Sequence, residues 1–131
     1  MRAADTNILV RYILNDDVKQ ADAVHRLFQE CRANGEAVFI PVIVLCELLW
    51  VLDRSLNLTK PQLIQVLENM FEAGFFRFEH EAIIHRCVEF YRTGRAGFPD
   101  YVIGEISKQA GCRDTVTFDR ALRDTPGFTL L

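Results

Sequence analysis

Four carboxylate side chains could do chemistry together: Asp5, Glu47, Asp100 and Asp119. Three of them fall where predicted strands or helices begin or end, and Glu47 lies inside a predicted helix. Carboxylates that face one cavity repel one another and raise each other's pKa unless a divalent cation neutralises them. Mg²⁺ and Mn²⁺ prefer such oxygen ligands, and they can hold a phosphate and activate water for attack on phosphorus. If these acids converge, they therefore suit hydrolysis of a phosphodiester without a serine, cysteine or histidine nucleophile.

Taken singly, each acid also has a structural explanation. Asp5 and Asp119 suit turn or helix caps, and Asp100 falls in the first turn of a predicted helix, where the dipole favours an acid. Glu47 is expected to be buried on an apolar helix face, held by a salt bridge or by a cation. Its neighbours one helical turn away are all apolar: Ile43, Val44, Trp50 and Val51.

The elements that must position these acids alternate between strands and helices. Strands are predicted at residues 1–4, 37–40, 75–78 and 115–118, with a further edge strand at 128–131. Helices are predicted from 18 to about 33, from 42 to 58, from 61 to 72, from about 81 to 93 and from 99 to 110. This alternation predicts an α/β fold with a parallel sheet covered by helices, in which ligands bind beyond the carboxyl ends of the strands.

Length and composition indicate one globular domain spanning residues 1–131, with 50% hydrophobic and 25% charged residues. No stretch resembles an export signal, and the apolar run at 37–52 is too short to cross a bilayer. We therefore expect a cytoplasmic protein without a membrane partner. The cysteines at 31, 46, 87 and 112 form no close pair, so we expect reduced, buried thiols, and the histidine spacing disfavours a zinc site.

The net charge of −3 argues weakly against a nucleic-acid partner. The argument weakens if a metal neutralises the four acids, because 14 acids then remain against 15 bases. Four arginines near the third and fourth acids are candidates for phosphate contacts, but surface charge is the simpler explanation and none is assigned that role: Arg86, Arg92, Arg95 and Arg120.

In order and context, the four acids resemble those of VapC-like PIN-domain ribonucleases, the toxins of bacterial and archaeal toxin–antitoxin pairs. Asp5-Thr6-Asn7 is similar to the first motif of that family, and residues 41–52 around Glu47 are similar to the second. Residues 98–103 resemble the third motif, and residues 115–120 resemble the fourth. The resemblance covers nearly the whole chain.

The resemblance implies a three-layer sandwich with a central, mostly parallel sheet, and it implies that all four acids bind metal. Asn7 would orient Asp5, and the Thr117 hydroxyl would support the site near Asp119. A homodimer and a small inhibitory antitoxin are also implied. Many relatives carry a further Asp where this chain has Gly97, so the site has one negative charge fewer here.

We interpret the chain as a Mg²⁺- or Mn²⁺-dependent endoribonuclease that cleaves RNA by water attack. The alternative is a catalytically degenerate PIN-like module that binds RNA or protein without cutting. A phosphatase or phospho-receiver domain is disfavoured, because no second acid stands beside Asp5 and no lysine follows a late strand. An antitoxin helix could dock in a groove formed by apolar residues of the helices at 42–58 and 61–71, unless those residues pack against the sheet or in the homodimer interface instead.

Overall fold

The computed structural model describes residues 1–131 and divides into two compact units, Met1–Glu79 and His80–Leu131. The first unit contains three strands, β1 (Arg2–Ala3), β2 (Val38–Ile40) and β3 (Phe76–Phe78). Two helices follow β1, α1 (Thr6–Leu14) and α2 (Val18–Ala33), and two follow β2, α3 (Val42–Arg54) and α4 (Lys60–Glu72). These helix pairs make the crossovers that parallel strands require.

The three strands form one parallel sheet in the order β1-β2-β3, with Ala3 opposite Phe39 and Ile40 opposite Phe78. Because all three run the same way, their carboxyl ends lie at one edge. The chain leaves that edge at Asp5, Pro41 and Glu79.

The core of the first unit is built from leucines of α1, α3 and α4 and from an aromatic cluster. The rings of Phe28 and Phe76 meet edge to face with centroids 5.5 Å apart. On α4, the residues at helical spacing that face inward are Leu63, Ile64, Leu67 and Met70, all buried. The apolar face of α4 is therefore mainly a core face rather than an open docking surface.

The second unit contains α5 (Glu81–Thr93), α6 (Phe98–Gln109), β4 (Thr115–Thr117), a 3₁₀ turn at Arg120–Leu122 and β5 (Phe128–Leu130). The strands β4 and β5 pair in parallel, with Thr115 opposite Phe128. The ring of Phe128 lies against α6 at Gly104, where an added Cβ would come within 2.6 Å of the ring. Glycine at this position therefore permits the strand to pack closely on the helix.

The expected α/β class with parallel strands is confirmed, and three details of the prediction are wrong. Helix α1 was not predicted, because its contiguous Ile8-Leu9-Val10 does not show helical spacing by itself. Helix α3 ends at Arg54 instead of residue 58, since Asn57 adopts a left-handed conformation with φ of 54°. The strands also belong to two hydrogen-bonded sheets rather than one.

All four cysteines are free thiols, and only some are buried as expected. Cys31 and Cys87 are buried, whereas Cys112, just after the end of α6, is exposed. Cys46 is half-buried, and burial raises the pKa of its thiol to about 11. None of the helices combines the length and apolar character needed to cross a bilayer.

Candidate active site

Asp5 lies shortly after the end of β1 and is the N-cap residue of helix α1. The backbone N–H of Ala4 still donates to the Phe39 carbonyl at 3.0 Å, so sheet pairing continues up to the residue before Asp5. Asp5 is exposed, and its Oδ1 accepts a hydrogen bond from the backbone N–H of Thr6 at 2.7 Å. The positive end of the α1 dipole therefore faces this carboxylate. Asn7 is exposed in the first turn and makes no hydrogen bond to Asp5, so its orienting role stays a prediction.

The prediction that Glu47 is buried is wrong. Helix α3 is apolar nearly all round, and its buried residues are Leu45, Leu48, Leu49 and Leu52. At 100° per residue, Glu47 lies about 200° around the helix from Leu45, on the opposite face. It is exposed between Ile43 and Trp50, which are exposed as well. Because Glu47 faces solvent, its charge needs neither a buried counter-ion nor a bound cation to be stable there.

Glu79 is a residue at this edge that sequence reasoning missed. It follows β3 directly, and its backbone N–H donates to the Ile40 carbonyl at 3.0 Å. Its side-chain Oε1 accepts from the backbone N–H of Val42 at 2.9 Å, across 37 positions of sequence. The N-cap residue of α3 is Pro41, which offers no side-chain hydrogen bond of its own. Glu79 thus caps α3, the helix that carries Glu47. Its position directly after a predicted strand could have marked Glu79 as a candidate from the sequence, although its bond to Val42 could not be foreseen.

In the second unit the structure brings Asp100 and Asp119 together. Asp100 is half-buried in the first turn of α6, and its Oδ2 accepts from the backbone N–H of Gly97 at 3.0 Å. Burial raises the pKa of the Asp100 carboxyl, the bond from Gly97 lowers it, and the negative charge of Asp119 raises it further. The net shift is upward, so the site disfavours the charged form of Asp100.

Asp119 is exposed but held in place by two local hydrogen bonds. Its Oδ1 accepts from the backbone N–H of Ala121 at 2.9 Å and caps the 3₁₀ turn. Its own backbone N–H donates to the hydroxyl of Thr117 at 3.0 Å. Thr117 therefore fixes the backbone on which Asp119 stands, a contact that suits the supporting role predicted for it.

These acids offer only oxygen donors, which suits Mg²⁺ or Mn²⁺ rather than zinc. Neither unit by itself gathers three or more His, Cys, Asp or Glu side chains in a group that could hold a metal ion. The second unit does hold two carboxylates close together, Asp100 and Asp119, and neither forms an ion pair.

The four candidate arginines fall into two groups. Arg86 pairs with Glu105 at 3.1 Å and Arg92 pairs with Glu89 at 3.4 Å. Arg95 and Arg120 are exposed and form no ion pair. Of the four, these two keep their guanidinium groups available for an external anion.

Comparison with known proteins gives two matches. The model of the PIN domain family matches residues 3–127, a span that includes all four candidate acids and parts of both units. A VapC ribonuclease of Aquifex aeolicus (strain VF5) is 23% identical over 123 residues, which cover 94% of this chain and 90% of that protein.

Proposed function

This chain belongs to the PIN domain family, and from that premise we propose that it is a Mg²⁺- or Mn²⁺-dependent endoribonuclease. Residues 1–131 form a single PIN domain in this proposal, and the acids that hold the metal are Asp5, Glu47, Asp100 and Asp119. The similarity to a VapC ribonuclease along nearly the full length of both chains supports RNA as the substrate.

The observation that carries the proposal is the pair formed by Asp100 and Asp119. Their charges repel, and no arginine or lysine forms an ion pair with either carboxylate. Two carboxylates that share a site disfavour each other's charged form unless a positive charge lies nearby. A divalent cation is the partner that two such uncompensated carboxylates fit.

The capping bonds prepare the acids to bind a cation. Asp5 and Asp119 each use Oδ1 in a backbone hydrogen bond, which leaves Oδ2 of each without a protein hydrogen bond. These bonds fix the side chains before any ligand arrives, so little rotamer freedom is lost on binding. When bound, the cation supplies positive charge to the phosphate oxygens and a water of lowered pKa for attack on phosphorus.

We test the activity with the purified chain, structured RNAs and Mg²⁺, Mn²⁺ or EDTA. Cleavage is expected in either metal and not in EDTA, and Asp119→Asn is expected to abolish it. Asp124→Asn is the matched control, because Asp124 is exposed, close in sequence and outside the motif. Cleavage that persists in EDTA contradicts the metal mechanism. RNA binding without cleavage under every condition would favour the degenerate binding module.

The family resemblance further supports a cytoplasmic toxin inhibited by an antitoxin. Helices α1, α2 and α4 of the first unit border an open cavity of about 310 Å³, lined by Tyr12, Ile13, His25, Val66, Asn69 and Met70. An amphipathic antitoxin helix could place an apolar side chain there. Met70 is only 2% exposed and would unfold the chain if charged, so Val66→Glu is the suitable variant. It is expected to lose co-purification with the product of an adjacent small gene, and unchanged co-purification contradicts this docking site.

A homodimer is also part of the proposal, and α3 offers a surface for it. Ile43 and Trp50 are large apolar side chains that stay exposed on this helix. A second copy that covers them would remove this apolar area from water. Trp50→Glu is expected to shift the protein from dimer to monomer in sedimentation velocity, and an unchanged dimer would place the interface elsewhere.

A further inference from the structure

Phe118 is the most exposed of the large hydrophobic side chains, at 80% of its surface. Its ring contacts no other aromatic ring, and it stands between β4 and the 3₁₀ turn. An aromatic ring that faces water gives up the stabilisation that burial would bring. Packing in the hydrophobic core therefore does not explain why a phenylalanine occupies this position.

The segment that carries Phe118 is held firmly. Thr117, the residue before it, accepts a hydrogen bond on its hydroxyl from the Asp119 N–H, and its carbonyl accepts one from the Leu131 N–H at 2.9 Å. Asp119, the residue after it, caps the 3₁₀ turn through Ala121. The ring is thus presented to solvent from a fixed backbone and not from a loose loop.

The surroundings of Phe118 combine acids, apolar side chains and a cation. Asp119 is the next residue, so the two Cα atoms are about 3.8 Å apart, and Asp119 is close to Asp100. Ile103 is exposed one turn after Asp100 on the same face of α6. Arg120 is exposed on the other side of Asp119 and forms no ion pair. An exposed aromatic ring and an exposed guanidinium without an ion pair therefore belong to the residues on either side of Asp119.

We propose that Phe118 is a stacking platform for a nucleobase of single-stranded RNA, next to the phosphate that a divalent cation bound at Asp100 and Asp119 would hold. This inference rests on the proposed nuclease function and names the part of the substrate that the second unit binds. Unstacked RNA bases pair readily with exposed aromatic rings, and such stacking tolerates any base sequence. One ribose joins a base to its phosphate, so neighbouring residues can serve both groups. Phe118 is a positioning residue in this proposal, because its contact is with the base and not with the reacting phosphorus.

A protein partner would use the same surface differently. Val116 lies in β4, two residues before Phe118, and is itself 59% exposed. Leu131, next to Thr117 through its backbone bond, is exposed as well. A second copy of the chain would cover all three side chains, whereas a base needs only the ring of Phe118. Variants of Val116 and Phe118 therefore separate the two occupants.

The test measures binding of a short fluorescein-labelled oligoadenylate in Ca²⁺ and cleavage of the same RNA in Mn²⁺. Phe118→Leu keeps an apolar side chain without a ring and is expected to weaken binding roughly 5- to 150-fold, the range measured for loss of one base stack. Phe118→Tyr should restore binding, and Val116→Ala is the control expected to bind normally. In cleavage, Phe118→Leu should raise KM far more than it lowers kcat.

An abasic ribose–phosphate chain is the second probe. It should bind wild type and Phe118→Leu equally, because it has no base to stack. The inference is overturned if Phe118→Leu binds oligoadenylate normally or weakens the abasic chain to the same extent. It is also overturned if Val116→Ala matches Phe118→Leu and both change the sedimentation coefficient, since the face then joins two copies of the chain. Base-dependent binding without cleavage in Mg²⁺ or Mn²⁺ would support the stacking platform and contradict the nuclease.

Discussion

The carboxyl group of Asp100 lies close enough to Asp119 for the negative charge of Asp119 to help raise the pKa of Asp100. Asp100 stands in the first turn of α6, and Asp119 follows β4. Backbone hydrogen bonds from Gly97 and Ala121 hold the two carboxylates where they are. The second unit therefore keeps two like charges together at a cost in stability that a bound cation would offset.

The first prediction concerns Asp100→Asn in EDTA. Asparagine keeps an oxygen to accept from the Gly97 N–H but carries no charge. Because the folded-state pKa of Asp100 is raised, the contribution of this group to stability is fullest below its unfolded pKa and is lost as pH rises through its folded pKa. The variant should therefore melt above wild type near neutral pH, and the difference should shrink on acidification. Melting temperatures over a pH series test this, and a difference independent of pH contradicts it.

The second prediction concerns metal and thermal stability. A ligand that binds only the folded state stabilises it by RT ln(1 + [L]/Kd), about 2.7 kcal/mol at a hundredfold excess over Kd. Saturating Mn²⁺ should raise the melting temperature of wild type and of Asp124→Asn alike. Asp119→Asn should show a much smaller rise. Equal shifts in all three proteins would place the bound Mn²⁺ elsewhere.

Local chemistry explains why several elements could be predicted from the sequence. Thr59 and Gln62 form a capping box, in which Gln62 Oε1 accepts from the Thr59 N–H at 2.8 Å, and this pattern is visible in the sequence alone. Asp17 likewise caps α2 through the Gln20 N–H. Such signals involve residues within one helical turn, so they do not depend on the rest of the fold.

Tertiary packing determines two features that the sequence pattern does not: which face of α3 is buried, and which residue caps that helix. Helix α3 carries apolar residues on every side, and packing turns the Leu45 face inward and leaves Glu47 outside. The bond between Glu79 and Val42 joins residues far apart in the chain, which no local pattern reveals. Asp5 and Asp119 were easier to identify, because an acid that follows a strand and caps a helix or turn is a local feature.

The third prediction concerns Gly97→Asp. Gly97 is the N-cap of α6 at φ −73° and ψ 155°, an extended conformation that any residue adopts, and an added Cβ would lie 3.4 Å from Asp100 Oδ2. The added carboxylate should increase Mn²⁺ affinity, since it brings a third negative charge to the pair of acids. It should also lower the melting temperature in EDTA relative to Gly97→Asn, which has the same shape and no charge.

Calorimetric titration with Mn²⁺ measures the metal affinity of the Gly97 variants and of wild type. Gly97→Asn serves as the control and should bind Mn²⁺ no more tightly than wild type. Equal affinity in Gly97→Asp and Gly97→Asn would show that position 97 does not face the ion.

The fourth prediction concerns Glu79, which caps α3 from the end of β3. Glu79→Ala leaves the Val42 N–H without its acceptor and should lower the free energy of unfolding by about 0.5–2 kcal/mol. Glu79→Gln keeps an acceptor and should lose only the charge–dipole part, about 0.3–1 kcal/mol. Glu72→Ala is the control, because Glu72 is exposed at the end of α4 and should leave stability near that of wild type. Urea unfolding followed by Trp50 fluorescence measures all three. If Glu79→Ala is no less stable than Glu72→Ala, the cap does not contribute to the stability of the fold. If Glu79→Gln removes the Mn²⁺-induced rise in melting temperature, Glu79 acts as a metal ligand rather than as a stabilising cap.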